Sequence, residues 1–149
     1  MNILLADDEP DILKIINTFL TGEGMNVFMA TDGDKALEIL HSNKIDLAIL
    51  DWMMPCKDGM EVCKEIKDLN SDTKVIILTA KTHIENELDA LYSGADEYIR
   101  KPFDPRVVVL RAKKLLNCDD IYKTGREANN RRVEGRRESN SYKSCDRQK

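Results

Sequence analysis

No run of apolar residues in the 149-residue chain approaches the length needed to span a bilayer, which excludes a transmembrane helix. The opening residues pass from Met1 through Ile3-Leu4-Leu5-Ala6 straight into Asp7-Asp8, with no basic leader region or cleavage site, so a soluble, cytoplasmic protein is expected. Cysteine is sparse and scattered. Cys56, Cys63, Cys118 and Cys145 form no CxxC pair and have no histidines at zinc-ligand spacing, which argues for free thiols in a reducing compartment. The two histidines, His41 and His83, show no arrangement with Ser, Cys or Asp that suggests a catalytic triad, and no glycine-rich loop is present to cradle a phosphate.

What is present falls into two unlike parts. Residues 117–149 hold nine Lys or Arg against six Asp or Glu, so the net charge of −4 divides into +3 for this segment and −7 for residues 1–116. In the acidic part, short runs rich in Ile, Val and Leu alternate with stretches of helical period, the pattern of a parallel sheet flanked by helices. Strands are predicted at Asn2–Ala6, Asn26–Thr31, Leu47–Asp51, Lys74–Thr79 and Glu97–Arg100. The first, third and fourth are apolar throughout, as buried central strands should be, whereas the second and fifth read as edges. Helices are predicted over Asp11–Phe19, with Ile12, Ile15, Ile16 and Phe19 on one face, and over Lys35–His41, behind the start signal Asp32-Gly33-Asp34. Val62, Ile66 and Leu69 mark a third helix, Ile84, Leu88 and Leu91 a fourth ended by Gly94, and Val107–Leu116 the last.

Right-handed crossovers make five such units a doubly wound sheet, whose ligands bind outside the carboxyl ends of the strands near the topological switch point. The polar residues collect there: Asp7 and Asp8 follow the first strand, Asp51 ends the third, Thr79 ends the fourth and Lys101 follows the fifth. Three converging carboxylates repel one another unless a cation neutralises them, and hard oxygen ligands with an incomplete shell suit Mg2+. Lys101 adds a second positive charge for a transferred phosphoryl group, Thr79 a hydroxyl donor, and a carboxylate so placed can itself be the nucleophile, with Asp51 the candidate. An aspartate after a strand is by itself commonly a turn or cap residue; it is the joint placement that points to chemistry.

Asp7-Asp8-Glu9-Pro10, Asp51-Trp52-Met53-Met54-Pro55 with Asp58-Gly59, Thr79-Ala80, and Gly94-Ala95-Asp96-Glu97-Tyr98 leading to Lys101-Pro102-Phe103 resemble the ordered motifs of response-regulator receiver domains of two-component systems. The resemblance implies a flavodoxin-like (CheY-like) α/β fold over residues 1–117, a doubly wound (βα)5 with strand order 2-1-3-4-5. It implies that Asp51 takes a phosphoryl group from a phosphohistidine of a sensor histidine kinase, with Mg2+ held by Asp8, Asp51 and the backbone carbonyl of Met53, and Asp7 acting through a bound water. Lys101 would pair with the phosphoryl oxygens, Thr79 would close on them, Tyr98 would turn inward, and the Lys101–Pro102 peptide is expected to be cis. Such a protein catalyses only its own phosphorylation and dephosphorylation and is not a turnover enzyme. The apolar Met53 offers a hydrolytic water little guidance, so slow loss of the phosphoryl group is predicted.

The last motifs are similar to those of receivers that carry a winged-helix, OmpR-like DNA-binding domain and dimerise through the fourth helix, fifth strand and fifth helix. Glu87 and Asp96 against Arg111 and Lys113 are expected to form rim contacts in a symmetric pair, although Val107 stands where such receivers commonly carry an acid. Residues 118–149 are too few for a winged helix and carry Ile121, Tyr122, Val133 and Tyr142 without periodicity, so a polar, disordered tail or linker remnant is expected. A DNA-binding transcription regulator whose effector domain is missing or truncated is the alternative. A phosphatase of the haloacid-dehalogenase class would need a second aspartate two residues after the nucleophile, where Met53 stands.

Overall fold

The computed structural model describes residues 1–69, 72–80, 94–116 and Leu88. The five predicted strands form one parallel sheet in the order β2-β1-β3-β4-β5: β1 Asn2–Ala6, β2 Asn26–Ala30, β3 Leu47–Asp51, β4 Lys74–Thr79 and β5 Glu97–Arg100. The sequence runs from β1 outward to β2 and then returns past β1 to β3, which puts the switch point between β1 and β3. Ile3 lies opposite Val27 on one side and Leu47 on the other, and Asp51 lies opposite Leu78, so β1, β3 and β4 end together at one edge.

Because strand side chains alternate, the sheet feeds two cores. Leu4, Ala6, Leu50, Val75 and Ile77 face α2 (Gly33–Ser42) and α3 (Gly59–Leu69), where they meet Ala36, Leu37, Val62 and Ile66. Ile3, Leu5, Ile49, Ile76 and Leu78 face α1 (Pro10–Gly22) and α4 (Pro105–Leu116), where they meet Leu13, Ile16, Leu20, Val108 and Ala112. Each fully buried Leu or Ile contributes about 1.5–3 kcal/mol by leaving water. As expected, the three central strands are almost wholly buried and β2 and β5 are partly exposed edges.

The helices depart from the prediction in which apolar residues they bury. In α1 the buried stripe is Leu13, Ile16 and Leu20, while Ile15 and Phe19 are 44% and 39% exposed. Apolar residues extend around more of this helix than one face, and the sheet accepts only the stripe spaced three and four apart that meets it. Likewise Leu69 is exposed and Cys63 buried in α3, and Val107 points outward from α4. Helix starts follow local chemistry. Asp32 accepts a hydrogen bond from the Lys35 N–H (2.8 Å), and Asp58 and Glu61 form a reciprocal capping box at 2.9 Å in each direction. Pro105 opens α4 two residues earlier than predicted, behind an Asp104–Arg106 pair that holds the Asp104 carboxyl down at about 2.

The predicted helix around Ile84 and Leu91, along with His83, Glu87, Cys118, Cys145 and residues 118–149, lies outside the described residues; Leu88 is described and is exposed. Cys63 is buried in α3, and Cys56 is an exposed free thiol. None of the described helices is long and apolar enough to cross a membrane.

Candidate functional site

The carboxyl edge of the sheet gathers the acids. Asp7 leaves β1 with its N–H donating to the Ala30 carbonyl (3.1 Å), and its Oδ1 accepts from the Glu9 N–H (2.9 Å), which fixes both backbone and side chain. Asp51 is the last residue of β3. The ligand oxygens of Asp7, Asp8 and Asp51 lie within 4.8 Å of one another, with Asp7 and Asp51 buried and Asp8 facing solvent. The following loop is pinned by backbone contacts: the Trp52 N–H donates to the Leu78 carbonyl and the Gly59 N–H to the Trp52 carbonyl, both at 2.8 Å. A Cβ on Gly59 would stand 2.3 Å from the Asp51 carbonyl oxygen, so only glycine lets α3 start this close to the acceptor strand.

Lys101 reaches the cluster from the far side. Its N–H donates to the Thr79 carbonyl (2.7 Å), tying the end of β5 to the end of β4, and the Lys101–Pro102 peptide is cis as expected. The ammonium Nζ lies 3.0 Å from Asp51 Oδ1, 3.3 Å from Asp7 Oδ2 and 3.9 Å from Glu9 Oε1. Burial pushes the Asp51 carboxyl up to about 6, helped by the charge of Asp7 and opposed by the bond from Lys101. Burial also raises Asp7. Burial would lower Lys101, but its pairing with Asp51 and Asp7 outweighs this and leaves the ammonium held more firmly than usual. The arrangement therefore carries more negative charge than one lysine offsets, in a set of hard oxygen donors suited to a divalent cation.

The other predicted residues take varied positions. Thr79 is fully buried at the end of β4, beside the register pair of Asp51 and Leu78. Tyr98 is half-buried and packs against the core on the α2–α3 side. Met53 lies two residues beyond Asp51 and is 58% exposed, whereas Trp52 is buried and Met54 partly so. Asp96 corrects an expectation. It is turned inward, accepting from Lys67 Nζ (2.9 Å) and the Val75 N–H (2.8 Å) with its side chain 4% exposed, so it is not a rim charge. Arg111 pairs with Glu97, and Lys113 Nζ reaches Glu23 Oε1 of α1 at 2.8 Å.

Two residues matter here that the sequence reading did not single out. Glu9 adds a further carboxylate near the lysine, and its only signal was proximity to the acidic pair. Gly33, read only as part of a helix start, donates to the Pro55 carbonyl (3.2 Å), and a Cβ there would lie 2.1 Å from the Lys57 carbonyl oxygen, so α2 braces the β3–α3 loop.

The family model of the response regulator receiver domain matches residues 3–113. The chain belongs to that family. It is 46% identical to the response regulator SaeR of Staphylococcus epidermidis over 115 residues, which cover 77% of this chain and 50% of SaeR. Among solved structures it resembles the response regulator TrrA of Thermotoga maritima in complex with Mg2+-BeF, at TM-score 0.68 and 38% identity, covering 76% of this chain and 96% of that one. DrrB, a Thermotoga maritima OmpR/PhoB homolog, matches at TM-score 0.74 and 31% identity over 79% of this chain and 53% of its own. The chain thus spans about half the length of the curated relatives it matches. The receiver family is not a turnover-enzyme family; its members bind Mg2+ at an acidic cluster of this kind and interact with sensor histidine kinases.

Proposed function

We propose that this receiver accepts a phosphoryl group on Asp51 from a phosphohistidine of a sensor histidine kinase and signals by the resulting change of shape. The reading rests on the convergence of three carboxylates and the Lys101 ammonium, 3.0 Å from Asp51 Oδ1, at the ends of β1, β3 and β5. Asp8, Asp51 and the Met53 backbone carbonyl would hold Mg2+, with Asp7 bound through a water. When bound, the cation supplies positive charge against the transferring phosphoryl oxygens.

A carboxylate oxygen of Asp51 attacks phosphorus as the phosphorus–nitrogen bond of the donor breaks, and the protonated phosphoimidazole leaves as neutral imidazole. Lys101, already shared between Asp51 and Asp7, transfers its pairing to the phosphoryl oxygens. Thr79 then closes on the phosphoryl group and Tyr98 moves inward, two linked rearrangements that phosphate biases. Output passes through the face to which β5 and α4 contribute, including homodimerisation. Incubation with Mg2+ and a small phosphodonor, read by intact mass, tests the acceptor. A single phosphate adduct on wild type and none on Asp51→Asn is expected; equal adducts on both would refute the assignment.

A second reading, control of DNA binding in a longer protein, is favoured by the lengths of SaeR and DrrB, of which this chain matches about half. It predicts salt-dependent affinity for duplex DNA in a protein carrying the other half.

A further inference from the structure

Glu9 lies where α1 begins, yet its side chain makes no cap hydrogen bond to the helix. Glutamate is not among the side chains that favour this position, so no capping role draws the carboxylate to the helix. Its backbone is held at both ends: the N–H donates to Asp7 Oδ1 at 2.9 Å, and the carbonyl accepts from the N–H groups of Ile12 (3.1 Å) and Leu13 (3.2 Å). The backbone thus roots the side chain at the rim, where it is 63% exposed and its carboxylate reaches inward to 3.9 Å from Lys101 Nζ.

An incoming phosphoryl donor meets this charge before it meets the buried acids. Glu9 both repels an anion at the mouth and competes for the lysine that must pair with the phosphoryl oxygens. A unit charge at this distance in water-like surroundings changes an equilibrium by about sixfold. The repulsion scales with the donor's charge. An acyl phosphate is a dianion near neutral pH, whereas a phosphoramidate carries one net negative charge because its nitrogen is protonated; a protonated phosphoimidazole resembles the latter.

Building on the phosphoacceptor reading above, we infer that Glu9 is a specificity-determining residue that selects donors with a phosphorus–nitrogen bond and low net charge, and disfavours small acyl phosphates. The exposed position separates this role from folding, since the side chain neither caps α1 nor packs in a core.

The test compares acetyl phosphate with phosphoramidate at saturating Mg2+ and low ionic strength, following adduct formation by intact mass for wild type, Glu9→Gln, Glu9→Lys and Glu9→Asp. The ratio of the acetyl phosphate rate to the phosphoramidate rate is expected to rise about three- to tenfold in Glu9→Gln, further in Glu9→Lys, and to stay near wild type in Glu9→Asp. The differences should shrink at high salt, because the charge is exposed. Mg2+ titration followed by fluorescence of Trp52, the residue after Asp51, should show affinity weakened about two- to threefold in Glu9→Gln, opposite in sign to the acetyl phosphate rate. An unchanged donor ratio, or equal acceleration with both donors, would overturn the inference while leaving Asp51 as acceptor. A wild-type protein that gains no adduct from either donor would instead sink the phosphoacceptor reading and this inference with it.

Discussion

Replacing Asp51 by Asn should make the metal-free protein more stable at neutral pH, although it removes the central residue of the site. The carboxyl is raised from 3.8 to about 6, chiefly by burial and then by Asp7. The native carboxyl thus holds its proton more tightly than the unfolded one. The stability this confers is complete below the unfolded value and is lost as pH rises through the folded one. Linkage between those two values makes the native-state cost small at pH 4, on the order of 1–2 kcal/mol at pH 5 and on the order of 3 kcal/mol at pH 7.5. Asn imitates the neutral carboxyl and can still accept from Lys101, so it recovers most of that cost. For a domain of this size 3 kcal/mol corresponds to a rise in Tm on the order of 10 °C. Urea denaturation with a chelator present, at pH 4, 5 and 7.5, should show the gap between Asp51→Asn and wild type opening with pH. Millimolar Mg2+ should narrow the gap at pH 7.5 by stabilising wild type more than the variant. A gap that is constant across pH, or a variant less stable than wild type at pH 7.5, would refute the claim that unneutralised buried charge dominates this edge of the sheet.

Lys101→Met leaves the three acids without their nearby ammonium, and phosphorylation by phosphoramidate should slow on the order of 100-fold; intact-mass time courses check this. Gly59→Ala places a Cβ 2.3 Å from the Asp51 carbonyl oxygen, so the start of α3 must shift. A loss of about 1–3 kcal/mol in urea denaturation, together with slower adduct formation, is expected. Asp96→Ala strands Lys67 and the Val75 N–H and should cost about 3–5 kcal/mol. Because this pair lies at the opposite end of the sheet from Asp51, the phosphorylation rate of the folded variant should stay within about twofold of wild type.

Four strands were legible to the residue and β2 to within one residue at its end; β1, β3 and β4 are short Ile-, Val- and Leu-rich runs closed by a charged or polar residue, and burial on both faces leaves them little choice of conformation. The site's acids and Lys101 were legible for a related reason: a parallel, doubly wound sheet delivers every strand end to the same edge, so position in the chain becomes position in space. The sequence could not say which stripe of an amphipathic helix is buried. Ile12, Leu13, Ile15, Ile16, Phe19 and Leu20 offer more apolar surface than the sheet can cover, and only the docked geometry selects Leu13, Ile16 and Leu20. Nor could it assign charges to partners. Asp96 reads as a surface acid until α3 brings Lys67 to it from 29 positions away, and Glu9 reads as a helix-start residue until β5 brings Lys101 within 3.9 Å. Periodicity and local chemistry determine which elements form and where they end, because those depend on neighbours along the chain. Ion pairs, burial of one face over another, and the shifted protonation of Asp51 depend on neighbours through space, and only the packed sheet decides those.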